Sequence, residues 1–132
     1  MSEQVTKMSF QHAFEAEQLR RERDRQARED AERAQQEADH GRATLLFDAL
    51  ASEAAFLNSR SLVLDRTRYA VTLDHADYRL RAYFEDGEVS VTSADKRDLS
   101  ATSAAPRKQA MVGSVEEALN MMAQLLADEV GG

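Results

Sequence analysis

The first forty residues constrain the fold more than any other part of the chain. They contain no proline or glycine, and the first glycine is Gly41. Between residues 20 and 44 no apolar side chain is larger than alanine, and Arg, Glu, Gln and Ala, which favour helix, dominate. The sequence therefore predicts one helix over residues 2–40, with Ser2 or Thr6 as its cap. Such a helix has few large apolar side chains with which to build a core.

This helical arm, residues 1–40, allows two interpretations. Opposite charges recur at i,i+4, as in Glu17 and Arg21, so the arm is stable as a solvated, salt-bridged helix without a partner. Alternatively, a second helix packs on it. Large apolar residues near its start would otherwise be exposed far from any core, and alanines further along follow a heptad spacing. We favour the second interpretation. The predicted contact residues are Phe10, Phe14, Leu19, Ala27, Ala31, Ala34 and Ala38.

Residues 41–132 have the patterns of a small α+β domain. Gly41 is expected to cap or kink the arm helix. A wide apolar stripe predicts a second helix over residues 42–58. Ser114 and Glu117 form a capping box at the start of a C-terminal amphipathic helix.

Between these helices the apolar period changes from 3.6 to 2 residues, which predicts a three-stranded antiparallel meander over residues 68–93. Asp86-Gly87 is a strong hairpin signal within it. The segment 62–64 is either a short strand or a lead-in. Residues 94–113 are polar, small and aperiodic and indicate a flexible loop, with an edge strand at 108–112 as the alternative.

Composition limits the classes of partner. The chain has 17 Lys and Arg against 24 Asp and Glu, a net charge of −7, and residues 1–40 and 41–132 are both acidic. We therefore expect no bulk attraction to nucleic acid. The chain has no cysteine, no signal-like start and no long apolar stretch. We therefore expect a cytoplasmic protein without a membrane partner.

No catalytic, cofactor or metal motif is recognisable, and we expect neither enzyme activity nor a small-molecule substrate. The three histidines show no metal-ligand spacing, and Asp74-His75-Ala-Asp77 has the composition of a turn. On the outer face of the predicted sheet, Arg79 and Arg81 lie beside Tyr83, a combination that is common where proteins bind proteins. The alternatives are a solvated sheet face or a site for single-stranded nucleic acid.

At the level of layout, the order of long helix, meander and terminal helix resembles two classes of protein. One is the small acidic dimeric chaperones of type III secretion effectors. The other is the small nucleoid-associated proteins whose dimers form a tweezer of helices. No residue role is carried over from either.

The sequence predicts a non-enzymatic adaptor, chaperone or assembly subunit, as a homodimer or part of a larger complex. The alternative is an architectural or regulatory nucleic-acid-binding protein.

Overall fold

The computed structural model describes residues 9–97 and 106–131. The elements of this part of the chain are α1 Phe10–Ala51, α2 Ala54–Ser59, β1 Val63–Arg66, β2 Ala70–Asp74, β3 Tyr78–Glu85, β4 Glu88–Asp95, β5 Pro106–Val112 and α3 Val115–Gly131. The chain divides into two units, one ending at Ala34 and one beginning at Gln35. The second unit thus starts ahead of the domain boundary predicted at residue 41.

In the first unit, the described residues from Phe10 onward are helical. The Oγ atom of Ser9 accepts a hydrogen bond from the backbone N–H of His12 at 3.1 Å, which is the geometry of a helix N-cap. The two caps predicted from the sequence, Ser2 and Thr6, lie outside the described residues.

The second unit contains a five-stranded sheet in the order β1-β2-β3-β4-β5, with every neighbouring pair antiparallel. The α+β class is confirmed. The alternation that predicted the meander is strict in β3, where buried and partly exposed residues alternate from Tyr78 to Phe84 before the exposed Glu85. Asp86 and Gly87 form the predicted tight turn with φ of 53° and 79°, between the paired residues Glu85 and Glu88.

The predicted count of three strands is wrong, because β1 and β5 extend the sheet at its two edges. Edge strands are bonded on one side only, so a short or polar sequence is sufficient for them. β5 contains Pro106, Lys108 and Gln109 and has no apolar alternation, yet its backbone pairs with β4. The predicted loop 94–113 is therefore wrong at both ends, whereas the alternative of an edge strand at 108–112 is confirmed within β5. The middle of the predicted loop, 98–105, lies outside the described residues.

The helix boundaries also differ from the prediction. α1 continues through Gly41 to Ala51, and a short separate helix, α2, follows. Gly41 costs a helix about 1 kcal/mol relative to alanine, whereas burial of Leu46 and Leu50 just beyond it stabilises the helix by more. The cap at α3 is confirmed, since the Oγ atom of Ser114 accepts a hydrogen bond from the N–H of Glu117 at 3.1 Å.

The core of this unit lies against one face of the sheet. The inward side chains of the strands form one buried cluster with residues of all three helices. The helical members are Ala43, Leu46, Leu50, Leu57, Ala118, Met122 and Leu125. The strand residues that alternate with the inward ones form a second face, on which Arg79, Arg81 and Tyr83 are only partly buried. We call this second face the open face.

Candidate interaction surfaces

The predicted contact residues of the arm are all exposed. Phe10 is 85% exposed, Phe14 55% and Leu19 52%, and the four alanines of the predicted seam are exposed as well. No described side chain from Phe10 to Ala38 is buried. The arm therefore presents large apolar side chains that no other described residue covers.

Helical geometry divides these residues into groups. Phe10 occupies the same heptad position as Ala31 and Ala38, and Phe14 lies one turn from Phe10. Leu19 falls on a different side of the helix. The seam thus has apolar residues near both ends, at 10–14 and 27–38, and charged residues between them.

The charged middle of the arm contains several internal ion pairs. Arg20 forms ion pairs with Glu17 and with Asp24, the latter at 3.4 Å, and Arg21 approaches Glu17 at 3.0 Å. Hydrogen bonds from Arg20 and then from Arg21 lower the pKa of Glu17 to about 2. The predicted pair Glu17–Arg21 is confirmed. These pairs reduce the number of free arginines that could bind phosphate.

A buried carboxylate fixes the start of the second unit, and sequence reasoning missed it. Asp39 is only 2% exposed. Its Oδ1 atom accepts hydrogen bonds from Gln35 Nε2 at 3.1 Å, from Arg42 Nη2 at 2.5 Å and from the backbone N–H of Gly87 at 3.1 Å. The hairpin turn is thereby bonded to helix α1. No sequence signal separates Asp39 from the exposed acids that precede it.

The open face brings the predicted residues Arg79, Arg81 and Tyr83 together. The Nε atom of Arg81 donates to Thr72 Oγ1 at 3.1 Å, and its Nη1 donates to Tyr83 Oη at 3.0 Å. The Arg81 guanidinium lies 5.7 Å from the centroid of the Tyr83 ring, which is within cation–π range. Arg79 is held differently, with its Nε atom 3.3 Å from Asp74 Oδ1.

Asp74 has a second cationic partner on this face. Lys96 Nζ donates to Asp74 Oδ1 at 2.9 Å and to the carbonyl oxygen of His75 at 2.9 Å. Burial acts to raise the pKa of Asp74, but the hydrogen bonds from Lys96 and Arg79 outweigh it and hold that pKa below its ordinary value. The turn predicted at residues 74–77 is present. The ring of His75 stacks on the ring of Tyr78, with the two ring centroids 4.5 Å apart.

A groove of about 230 Å³ lies between α2 and α3 on the core side of the sheet. Its lining is mainly apolar and includes Leu50, Phe56, Leu57, Leu119 and Leu126. Phe56 is half exposed at its rim. The groove contains no cluster of converging polar groups of the kind that orients a substrate.

Residues 9–97 and 106–131 contain no group of three His, Cys, Asp or Glu side chains placed to hold a metal ion. In the same part of the chain no helix is both long and apolar enough to cross a membrane. Comparison with known proteins found no matching family, no similar curated protein and no similar solved structure.

Proposed function

We propose that the chain is a non-enzymatic protein-interaction module, an adaptor, chaperone or assembly subunit, that acts through its helical arm and its α+β unit. The observation that carries the proposal is the exposure of Phe10, Phe14 and Leu19 on a helix whose described side chains are unburied as far as Ala38. Burying one such side chain stabilises a complex by about 1.5–3 kcal/mol. Covering these side chains therefore contributes several kilocalories per mole to the free energy of binding of a partner.

A second copy of the arm fits this surface better than a nucleic acid does. Alanines at repeating heptad positions allow two helices to approach closely. A phosphate backbone would need free cations, whereas Arg20, Arg21 and Arg25 are each paired with a glutamate. We therefore infer self-association through the arm, as a homodimer or within a larger complex.

The test is the molar mass in solution, measured by light scattering on the full chain and on a truncated chain of residues 35–132. The cut is placed before Gln35 because Gln35 and Asp39 belong to the second unit. We expect the full chain to be dimeric and the truncated chain monomeric. If both are monomeric, or if both are dimeric, the arm is not the self-association element.

Point variants refine this test. The double substitution Phe10→Ala and Phe14→Ala should shift the full chain toward monomer, since it removes the largest exposed apolar side chains. His12→Ala is the matched control, because His12 is exposed and lies two residues from both Phe10 and Phe14, on the opposite side of the same helix. Equal dimer dissociation constants for the double variant and the control would contradict the assignment.

A further inference from the structure

We propose that the open face binds an acidic segment of a partner protein, with Arg81 receiving a carboxylate of that segment. This inference rests on the proposed function, because it assigns a partner chemistry to a second surface of the same interaction module. It does not depend on the arm.

The first step is the state of the Arg81 side chain. Both of its hydrogen-bond acceptors, Thr72 Oγ1 and Tyr83 Oη, are neutral. Among the described residues Arg81 forms no ion pair, and its Nη2 atom donates no hydrogen bond. Arg81 therefore carries an uncompensated charge in an orientation that its neighbours already fix. A ligand that binds it loses little side-chain entropy.

The second step is the charge around Arg81. Arg79 and Lys96 share the single carboxylate of Asp74. We call the cations Arg79, Arg81 and Lys96, together with the one anion Asp74, the positive centre of the open face, and Lys96 follows the end of β4. Other acids on this face are Asp65, in the cross-strand row of Thr72 and Arg81, and Glu85 and Glu88 beside the hairpin turn. A positive centre on a chain of net charge −7 is complementary to an acidic ligand.

The third step is the space available. Thr92 on β4 stands directly opposite Arg81, and Gln109 on β5 stands opposite Thr92. Opposed residues on one sheet face have Cβ atoms about 5 Å apart. Both neighbours are uncharged, so a ligand carboxylate placed over Thr92 lies beside Arg81 and meets no anion at either of these two positions.

A carboxylate forms a charge-assisted hydrogen bond with a guanidinium N–H group, and Nη2 of Arg81 can donate one while Nε and Nη1 keep their present acceptors. A long phosphate backbone would also meet the acidic remainder of the chain, which repels it outside this centre. A protein segment with one or a few acidic side chains avoids that repulsion. The observations therefore favour a protein ligand.

The experiment measures binding of the full chain to a short oligoglutamate peptide, with only a few glutamates between neutral residues and a fluorescein label, by fluorescence anisotropy at low salt. The decisive pair of variants is Thr92→Asp and Thr92→Asn. The aspartate variant places a carboxylate opposite Arg81, where it competes with the carboxylate of the ligand. The asparagine variant introduces a side chain of the same shape without the charge. We expect Thr92→Asp and Arg81→Ala to weaken binding about ten-fold or more, and Thr92→Asn to bind like the unaltered chain.

Three results would overturn the inference. They are no binding of oligoglutamate at low salt, equal weakening by both Thr92 variants, or tighter binding of single-stranded DNA that Arg81→Ala abolishes. The last result would assign the face to phosphate. Thermal melts of each variant show whether it is folded. Light scattering on the same samples separates failure of this site from failure of the arm, since oligoglutamate binding is measured whether the chain is a monomer or a dimer.

Discussion

Replacement of Asp39 by alanine tests whether the start of the second unit is fixed by the carboxylate that bonds helix α1 to the hairpin turn. The substitution removes one oxygen that accepts three hydrogen bonds, from Gln35, Arg42 and the N–H of Gly87. The Nε atom of Arg42 is already buried without a partner. Loss of Asp39 would therefore leave the guanidinium of Arg42 without its carboxylate.

The expected cost follows from these contacts. Breaking a buried ion pair by removing one partner costs about 3–5 kcal/mol. Arg42 retains some exposure to water, with 30% of its side chain accessible, so we expect the lower end, about 3 kcal/mol. Asp39→Asn keeps an acceptor for the turn and loses only the charge, and should cost about 1–2 kcal/mol.

Urea unfolding followed by tyrosine fluorescence measures the effect on the correct unit. The chain has no tryptophan, and its three tyrosines all lie in the second unit. Asp30→Ala is the matched control, because Asp30 forms an exposed ion pair with Arg33 on the same helix and such pairs contribute at most about 1 kcal/mol. Free energies of unfolding within about 0.5 kcal/mol of each other for the Asp39→Ala and Asp30→Ala variants would refute the reasoning, since independent surface changes typically fall inside that range.

Two further predictions concern the hairpin and the open face. Gly87→Ala should lower the free energy of unfolding by about 1–2 kcal/mol, because φ there is +79°, and a Cβ atom would approach Gln35 Nε2 to 3.3 Å. A urea titration checks this, and an unchanged midpoint would contradict it. The lowered pKa of Asp74 contributes stability above its ordinary value of 3.8, and this contribution is lost as pH falls through the folded-state value. Asp74→Asn should therefore flatten the decline in melting temperature below pH 4, and a decline as steep as in the unaltered chain would count against that role.

The parts of the fold that periodicity determines could be predicted from the sequence. β3 alternates over its whole length, and Asp86-Gly87 provides the positive φ angles that a two-residue turn requires. The capping box at Ser114 is likewise a local signal with a local bonding consequence. In each case the residues that carry the pattern are also those that make the contacts.

The remaining elements depend on partners distant in sequence. β5 is a strand because β4 lies beside it, and the sequence indicates residues 108–112 only as an alternative to a loop, since nothing local identifies that neighbour. Gly41 is helical because the next turns of α1 are buried against the sheet. Local propensity predicts a break at such a glycine, and tertiary packing outweighs it.

The candidate sites, like the fold, could be predicted from the sequence only in part. The sequence places Arg79, Arg81 and Tyr83 on one sheet face, because side chains alternate along a strand. It does not show that Arg79 has a carboxylate partner in Asp74 while Arg81 has only neutral ones. That difference depends on β2 lying beside β3, and it makes Arg81 rather than Arg79 the residue proposed to receive a ligand.

The buried position of Asp39 also determines how the arm must be tested. Its bonds to Gln35, Arg42 and Gly87 all lie within the unit that begins at Gln35. A truncation at residue 41 would remove this carboxylate together with the arm, and a loss of dimer could then result from a destabilised α+β unit. A truncation before Gln35 keeps the carboxylate and its three donors. Loss of the dimer in that chain can therefore be attributed to the exposed helical surface.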